Sequence, residues 1–169
     1  MEIAFERLTT PEELAAVRKI ASEVWPETFA PILTQEQIRY MMRMMYAPEV
    51  MERELGEGYC FDLVRVDGEL AGYLVYSAYR ESGTAKLHKV YLRSRFHGKG
   101  IGKAMLEHAC DRCREAGFSS VILTVNKQNF KAQKAYFRFG FVAERAETVD
   151  IGSGFAMDDY VMRKNLTAL

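Results

Sequence analysis

The run Arg95-Phe96-His97-Gly98-Lys99-Gly100-Ile101-Gly102-Lys103 sets three glycines at alternate positions among three fixed cations, Arg95, Lys99 and Lys103. Glycines leave backbone N–H groups unscreened, and a helix start adds unpaired N–H groups and the positive end of its dipole. A turn of this kind cradles a phosphate or pyrophosphate. The bland alternative is a tight strand-to-helix turn that merely needs glycine. Two familiar phosphate loops do not fit. A P-loop needs Gly-Lys-Ser/Thr with a glycine five positions earlier, but Gly102-Lys103 precedes Ala104 and position 97 is His97. A dinucleotide fingerprint needs G-x-G-x-x-G and an acidic residue ending the next strand, which here closes on Val125-Asn126.

A second chemistry-bearing segment follows: Asn129-x-x-Ala132-x-x-x-Tyr136-x-x-x-Gly140-Phe141. Read alone, Tyr136 is a core aromatic whose hydroxyl finds a partner. The central strand carries Lys86, His88 and Lys89 and no carboxylate. His88 titrates near neutral pH and is either a general base or an exposed strand residue. The three cysteines, an odd number, do not suggest a disulfide framework. Cys110 and Cys113 share one face of a helical run and read as core. Only His108 is close to that pair, so no metal site is expected, and Cys60 has no histidine partner placed by sequence, so no acyl-enzyme is expected.

Taken together, Arg95-x-x-Gly98-x-Gly100 and the Asn129–Phe141 segment resemble the two signature segments of the GCN5-related N-acetyltransferases. The resemblance covers about residues 59–166 and only loosely the first third. It implies a mixed, mostly antiparallel α/β sheet of about seven strands flanked by helices, in one domain over residues 1–169. It also implies acetyl transfer from acetyl-CoA to a primary amine by direct attack in a ternary complex. On that pattern the pyrophosphate lies on the turn from Arg95 through His97, Gly98, Lys99, Gly100, Ile101 and Gly102 to Lys103. The backbone of Val90, Tyr91 and Leu92 pairs with the pantetheine arm, and the Leu92 N–H polarises the thioester carbonyl. Asn129 bonds the arm, Ala132 leaves room for it, and Lys131 and Lys134 meet the 3′-phosphate. Tyr136 protonates the leaving thiolate. The base is His88 or an ordered water. The rival function is a non-catalytic acyl-CoA-binding module on the same fold.

The family's acceptor side is formed by the first two helices and the late hairpin. Those segments offer Trp25, Phe29, Tyr40, Met41 and Met44 as apolar surface, with Glu23, Glu27, Asp158 and Asp159 as acids. An ammonium gains from aromatics and carboxylates alike. The expected acceptor is a small cationic amine: a polyamine, an amino acid or a peptide N-terminus. Solvated acids and methionines at core spacing are the alternative reading of the same residues.

The elements that must hold these residues are legible from periodicity. Thr10-Pro11-Glu12-Glu13 starts a helix running to about Val24, and Trp25-Pro26 is expected to end it. A second capping box, Thr34-x-x-Gln37, opens the next helix, and residues 48–55 read as a further turn or two. Strands are expected at 59–66 and 70–79 around an Asp67-Gly68 turn. Others are expected at 85–92, 120–125, 141–149 and 155–163, with helices over 103–116 and 129–139. The 169 residues suffice for one full core, with 49% hydrophobic and 27% charged side chains. The 23 basic and 23 acidic residues cancel, which gives no global field for nucleic acid or an anionic membrane. No run is long enough to span a bilayer and no signal-peptide pattern is present, so a cytoplasmic protein is expected. A homodimer is possible by analogy with the fold.

Overall fold

The computed structural model describes residues 1–166. Seven strands form one sheet: β1 (Ile3–Arg7), β2 (Cys60–Val66), β3 (Glu69–Ala78), β4 (Thr84–Leu92), β5 (Ser120–Asn126), β6 (Val142–Gly152) and β7 (Phe155–Asn165). Their spatial order is β1-β2-β3-β4-β5-β7-β6, and every pair is antiparallel except β4 with β5. Helices α1 (Leu14–Phe29), α2 (Gln35–Tyr46) and α3 (Pro48–Gly56) lie on one face. There Leu14, Ile20, Val24 and Met51 bury against Phe61 and Tyr73. Helices α4 (Ile101–Glu115) and α5 (Phe130–Phe139) cover the other, where Ile101, Met105, Leu106 and Cys110 meet Leu74, Leu87 and Leu123.

Local chemistry explains most of the boundaries. The Glu13 carboxylate accepts from the N–H of Thr10 at 2.9 Å and of Thr9 at 3.1 Å, which seats the 3₁₀ turn leading into α1. Helix α1 does not stop at Trp25-Pro26 but runs through Pro26 to Phe29. Trp25 and Phe29, one turn apart, are both buried, and their rings pack at a tilt with centroids 4.2 Å apart. That burial outweighs the lost hydrogen bond and the restriction before proline. The second capping box is half made. Thr34 accepts from the Gln37 N–H at 3.1 Å, but the Gln37 side chain reaches across to the Ala156 carbonyl at 2.8 Å. Helix α4 begins at Ile101, two residues before the expected start.

Two irregularities in the middle of the sheet shape everything that follows. Val75 faces Lys89 and Tyr76 faces Leu87, so His88 has no partner and forms a bulge in β4. The bulge changes the parity of the strand: Leu87 and Val90 both join the α4 side, while His88 and Lys89 both face α2. At Gly72 of β3 a Cβ would collide with the Tyr91 carbonyl oxygen, so only glycine permits this approach of the two strands.

Candidate active site

The ladder between β4 and β5 has three rungs, Thr84–Ser120, Ala85–Val121 and Lys86–Ile122, and then ends. Beyond the bulge the strands diverge and leave a wedge in the sheet. The Arg93 N–H donates to Ala71 at 2.8 Å, so Arg93 faces β3. By alternation the backbone groups of Tyr91 also face β3, and those of Val90 and Leu92 face the wedge. Of the three residues expected to pair with an extended ligand, two therefore offer their groups to it. Such an open edge accepts a ligand as an added strand. The His97 Nε2–H already donates to the Leu92 carbonyl at 2.9 Å, and its Nδ1 lies 3.3 Å from Lys131 Nζ.

The glycine turn lies at the end of β4. Gly98 (φ 76°) and Gly100 (φ 78°) are left-handed, and Gly100 caps α4. This backbone turns the N–H groups of the first turn of α4 outward. A Cβ at Gly98, Gly100 or Gly102 would meet no atom within 4 Å, so the space over the turn is open. Open backbone donors at a helix start, beside the unpaired edge of Val90 and Leu92, suit a long pyrophosphate-bearing thioester. Lys99 and Lys103 stand at this turn, Lys103 being 3.8 Å from Glu107. Arg95 points elsewhere: it pairs with Glu69 and lines a groove along α1.

Helix α5 flanks the same wedge. The Asn129 side-chain oxygen caps it by accepting from the Ala132 N–H at 3.3 Å. Tyr136 packs edge-on to Phe141 at 6.0 Å, and burial pushes its phenol up to about 12. It is close enough to Tyr91 for the two phenols to interact electrostatically. Lys131 and Lys134 are exposed on this helix.

On the α1–α2 side the wedge opens into a cleft of about 80 Å³. Trp25, Phe29, Met41, Met45 and Tyr91 form its apolar wall, and Asp159 of β7 contributes a carboxylate. Asp159 is only 7% exposed, and among the described residues no hydrogen bond or ion pair reaches its carboxylate. Burial, reinforced by Glu147 and Asp158, raises its pKa to about 6. The two basic residues of the bulge differ from each other. His88 stacks on Tyr59 and bonds Ser77 Oγ at 2.8 Å; burial, with Lys86 and Lys89 nearby, pushes it down to about 3. It therefore stays neutral at physiological pH and is a weak base. Lys89 turns under α2 and α3, 3.3 Å from the Met45 carbonyl and 4.0 Å from Glu54, over the Tyr46 ring.

Several residues expected at the acceptor side lie apart from this cleft. Met44 is not in its wall; Met41 and Met45 are. Tyr40 donates to the Ile151 carbonyl and packs on Phe155, which ties α2 to the β6–β7 hairpin. Glu27 lines a separate groove of about 380 Å³ with Lys19, Arg93 and Arg95. There Glu23 holds Arg93 through two bonds of 2.8 and 2.9 Å.

A family model described as the acetyltransferase (GNAT) family matches residues 14–141, from the start of α1 through the signature segment of α5. The chain belongs to the GNAT family of acetyltransferases. Among its relatives is a spermidine N(1)-acetyltransferase of Thermoplasma acidophilum, 27% identical over 163 residues, covering 94% of this chain and 97% of that one. A streptothricin acetyltransferase of Streptomyces lavendulae is 36% identical over 92 residues, 53% of this chain and 48% of that one. The crystal structure of the PaiA N-acetyltransferase from Thermoplasma acidophilum in complex with coenzyme A is 26% identical. It superposes with a TM-score of 0.81 over 98% of this chain and 99% of the other. The seven-stranded sheet with its split centre is thus a GNAT sheet, and the protein is an acetyltransferase.

Within that GNAT frame, sequence reasoning did not reach the bulge at His88 or the constraint at Gly72, and it could not single out Met45 as a wall residue from the other methionines of α2. Gly72 had one available signal, an isolated glycine inside a strand pattern. The other two depend on strand register and helix rotation, which no local pattern reports.

Proposed function

We propose that this acetyltransferase transfers the acetyl group of acetyl-CoA to the primary amino group of a small cationic amine, by direct attack in a ternary complex. The observation that carries the acceptor is the unpaired, 7%-exposed Asp159 carboxylate in a cleft walled by Trp25, Phe29 and Tyr91. A buried anion without a partner is unfavourable, and an ammonium seated there supplies the missing charge while gaining cation–π contact. The similarity to a spermidine N(1)-acetyltransferase supports a di- or polyamine within this class. The same reading extends to the amino group of an amino acid or a peptide N-terminus.

In this reading the first turn of α4 and its lysines hold the pyrophosphate, and Val90 and Leu92 align the pantetheine arm in the wedge. The Leu92 N–H polarises the thioester carbonyl, where negative charge develops. Tyr136 supplies the proton for the thiolate; its phenol, raised to about 12, remains protonated throughout the neutral range. The test is a panel of di- and polyamines, amino acids, and neutral and anionic amines with acetyl-CoA, followed by thiol release. Cationic amines should give the highest kcat/KM. Preference for neutral or anionic acceptors would overturn the acceptor class.

A further inference from the structure

We infer that Asp159 takes the proton from the acceptor's ammonium group, so that a residue of β7 activates the amine. The inference rests on the acceptor reading above and goes beyond binding to proton transfer. An amine attacks only with its lone pair free, and a primary ammonium near neutral pH must first lose a proton. The acceptor cleft holds few groups that could take it. His88 is neutral, but it is too weak a base and already bonded to Ser77. Lys89 is a cation turned toward Glu54 and Met45. Tyr91 is a partly buried phenol whose pKa desolvation raises well above the ordinary value. The cleft wall from α1, α2 and the turn between them contains Trp25, Phe29, Leu33, Gln37, Met41 and Met45, none of them titratable.

Asp159 is the group left, and its setting suits the task. Glu147, its cross-strand partner on β6, and its chain neighbour Asp158 disfavour its charge, while Lys86 and Lys127 favour it. Lys127 is largely occupied by Asp158 at 2.7 Å, and Lys86 is itself disfavoured as a cation by burial. The balance leaves a carboxylate more basic than usual, ionised at neutral pH and able to hold a proton. One ammonium N–H bond breaks and an O–H bond forms on Asp159. The freed lone pair attacks the thioester carbon, making the C–N bond as the C–S bond breaks. The thiolate takes the Tyr136 proton, the second amine proton restores Tyr136, and Asp159 releases its proton to solvent.

The test compares wild type with Asp159→Asn and Asp159→Glu, using the best amine from the panel. Asp159→Asn keeps shape and polarity but cannot accept a proton. It should lower kcat by about 10²-fold or more, leave coenzyme A affinity unchanged, and remove the acidic limb of the kcat profile. Asp159→Glu should restore part of the rate and the limb. In the free protein, ¹³C NMR of the aspartate carboxyls should show one resonance titrating near pH 6 that is missing in Asp159→Asn. A raised KM with unchanged kcat would make Asp159 an anchor only and overturn the proton transfer while the acceptor class stands. An Asp159→Asn enzyme with the wild-type pH profile would also overturn it. A wild type that acetylates no cationic amine would overturn both readings.

Discussion

The carbonyl oxygen of Tyr91 lies so close over Gly72 that no Cβ fits between them. This contact holds β4 against β3 where the strand turns its next backbone groups, those of Leu92, into the wedge. Gly72→Ala must push the Tyr91–Leu92 segment aside. Overpacking of this kind costs about 1–3 kcal/mol, so the variant should melt lower. It should also lose coenzyme A affinity, because the displaced groups are those offered to the ligand. Denaturant unfolding and calorimetry check both; unchanged affinity would remove Leu92 from the binding edge.

Gly102 offers a cleaner test of the phosphate site than Gly100. Gly100 is left-handed, so any side chain there strains the fold whatever binds above it. Gly102 lies within the first turn of α4, and a Cβ on it meets nothing within 4 Å. Valine is no worse than glycine inside a helix, so Gly102→Val should fold with wild-type stability. If a pyrophosphate lies over this turn, coenzyme A binding should fall at least tenfold. Wild-type affinity would move the phosphate site away from α4.

Tyr136→Phe keeps the edge-on contact with Phe141 and removes only the hydroxyl. The expected result is a fall in kcat of about 10² to 10⁴ with coenzyme A affinity unchanged. Wild-type kcat would return Tyr136 to a packing role.

Asp159 should also affect stability, in a direction fixed by the sign of its shift. Its pKa is raised on folding from 3.8 to about 6, by burial first and by Glu147 and Asp158 after it. The folded protein thus holds this proton more tightly than the unfolded chain. The associated stability is fully present below about pH 3.8 and is lost as pH rises through about 6, a difference of about 3 kcal/mol. Asp159→Asn cannot ionise. It should match wild type near pH 4 and be the more stable protein at pH 8, by denaturant unfolding at both values. Equal stability at both pH values would contradict a strained carboxylate.

On the opposite face, Asp62 shows the reverse sign. Burial alone would raise its pKa, but His108, Arg7 and Tyr76 bond it at 2.9, 2.5 and 2.6 Å and hold it below the usual value. Its stabilisation is present above pH 3.8 and disappears as pH falls through the depressed value. Asp62→Ala leaves the donors of His108 and Tyr76 without this acceptor while the half-exposed Arg7 turns to water, and should cost about 1–3 kcal/mol, with the acid limb of unfolding flattened.

The glycine turn, the stripe of α4 and the Asn129–Phe141 helix were readable because their causes are local: turn backbone, periodicity and capping. The acceptor side was readable only in part: Trp25, Phe29, Met41 and Asp159 were among its candidates and line the cleft, but which candidates share a face was not, and helix α1 shows why. Reading Trp25-Pro26 as a stop turned Trp25, Glu27 and Phe29 into one loop with no defined facing. With the helix carried through to Phe29, Trp25 and Phe29 share the buried stripe, while Glu23 and Glu27 share an exposed one. Of the four candidate acids, the one that shares the cleft with the aromatics is Asp159, more than a hundred residues away in the chain, and not Glu23 or Glu27. The bulge at His88 was hidden for a related reason: register belongs to a pair of strands, and one strand's alternation cannot display it.

The divergence of β4 and β5 beyond Lys86 and Ile122 leaves the sheet short of one strand's worth of hydrogen bonds. A coenzyme arm laid along Val90 and Leu92 would fill that gap, so cofactor occupancy and resistance to unfolding become one quantity. At a concentration a hundredfold above its Kd, the coenzyme would add about 2.7 kcal/mol to the fold. Amides along the gap would then exchange with deuterium slowly in the complex and quickly without it. A cell whose acetyl-CoA and coenzyme A pools run low would hold this protein in its more readily degraded form.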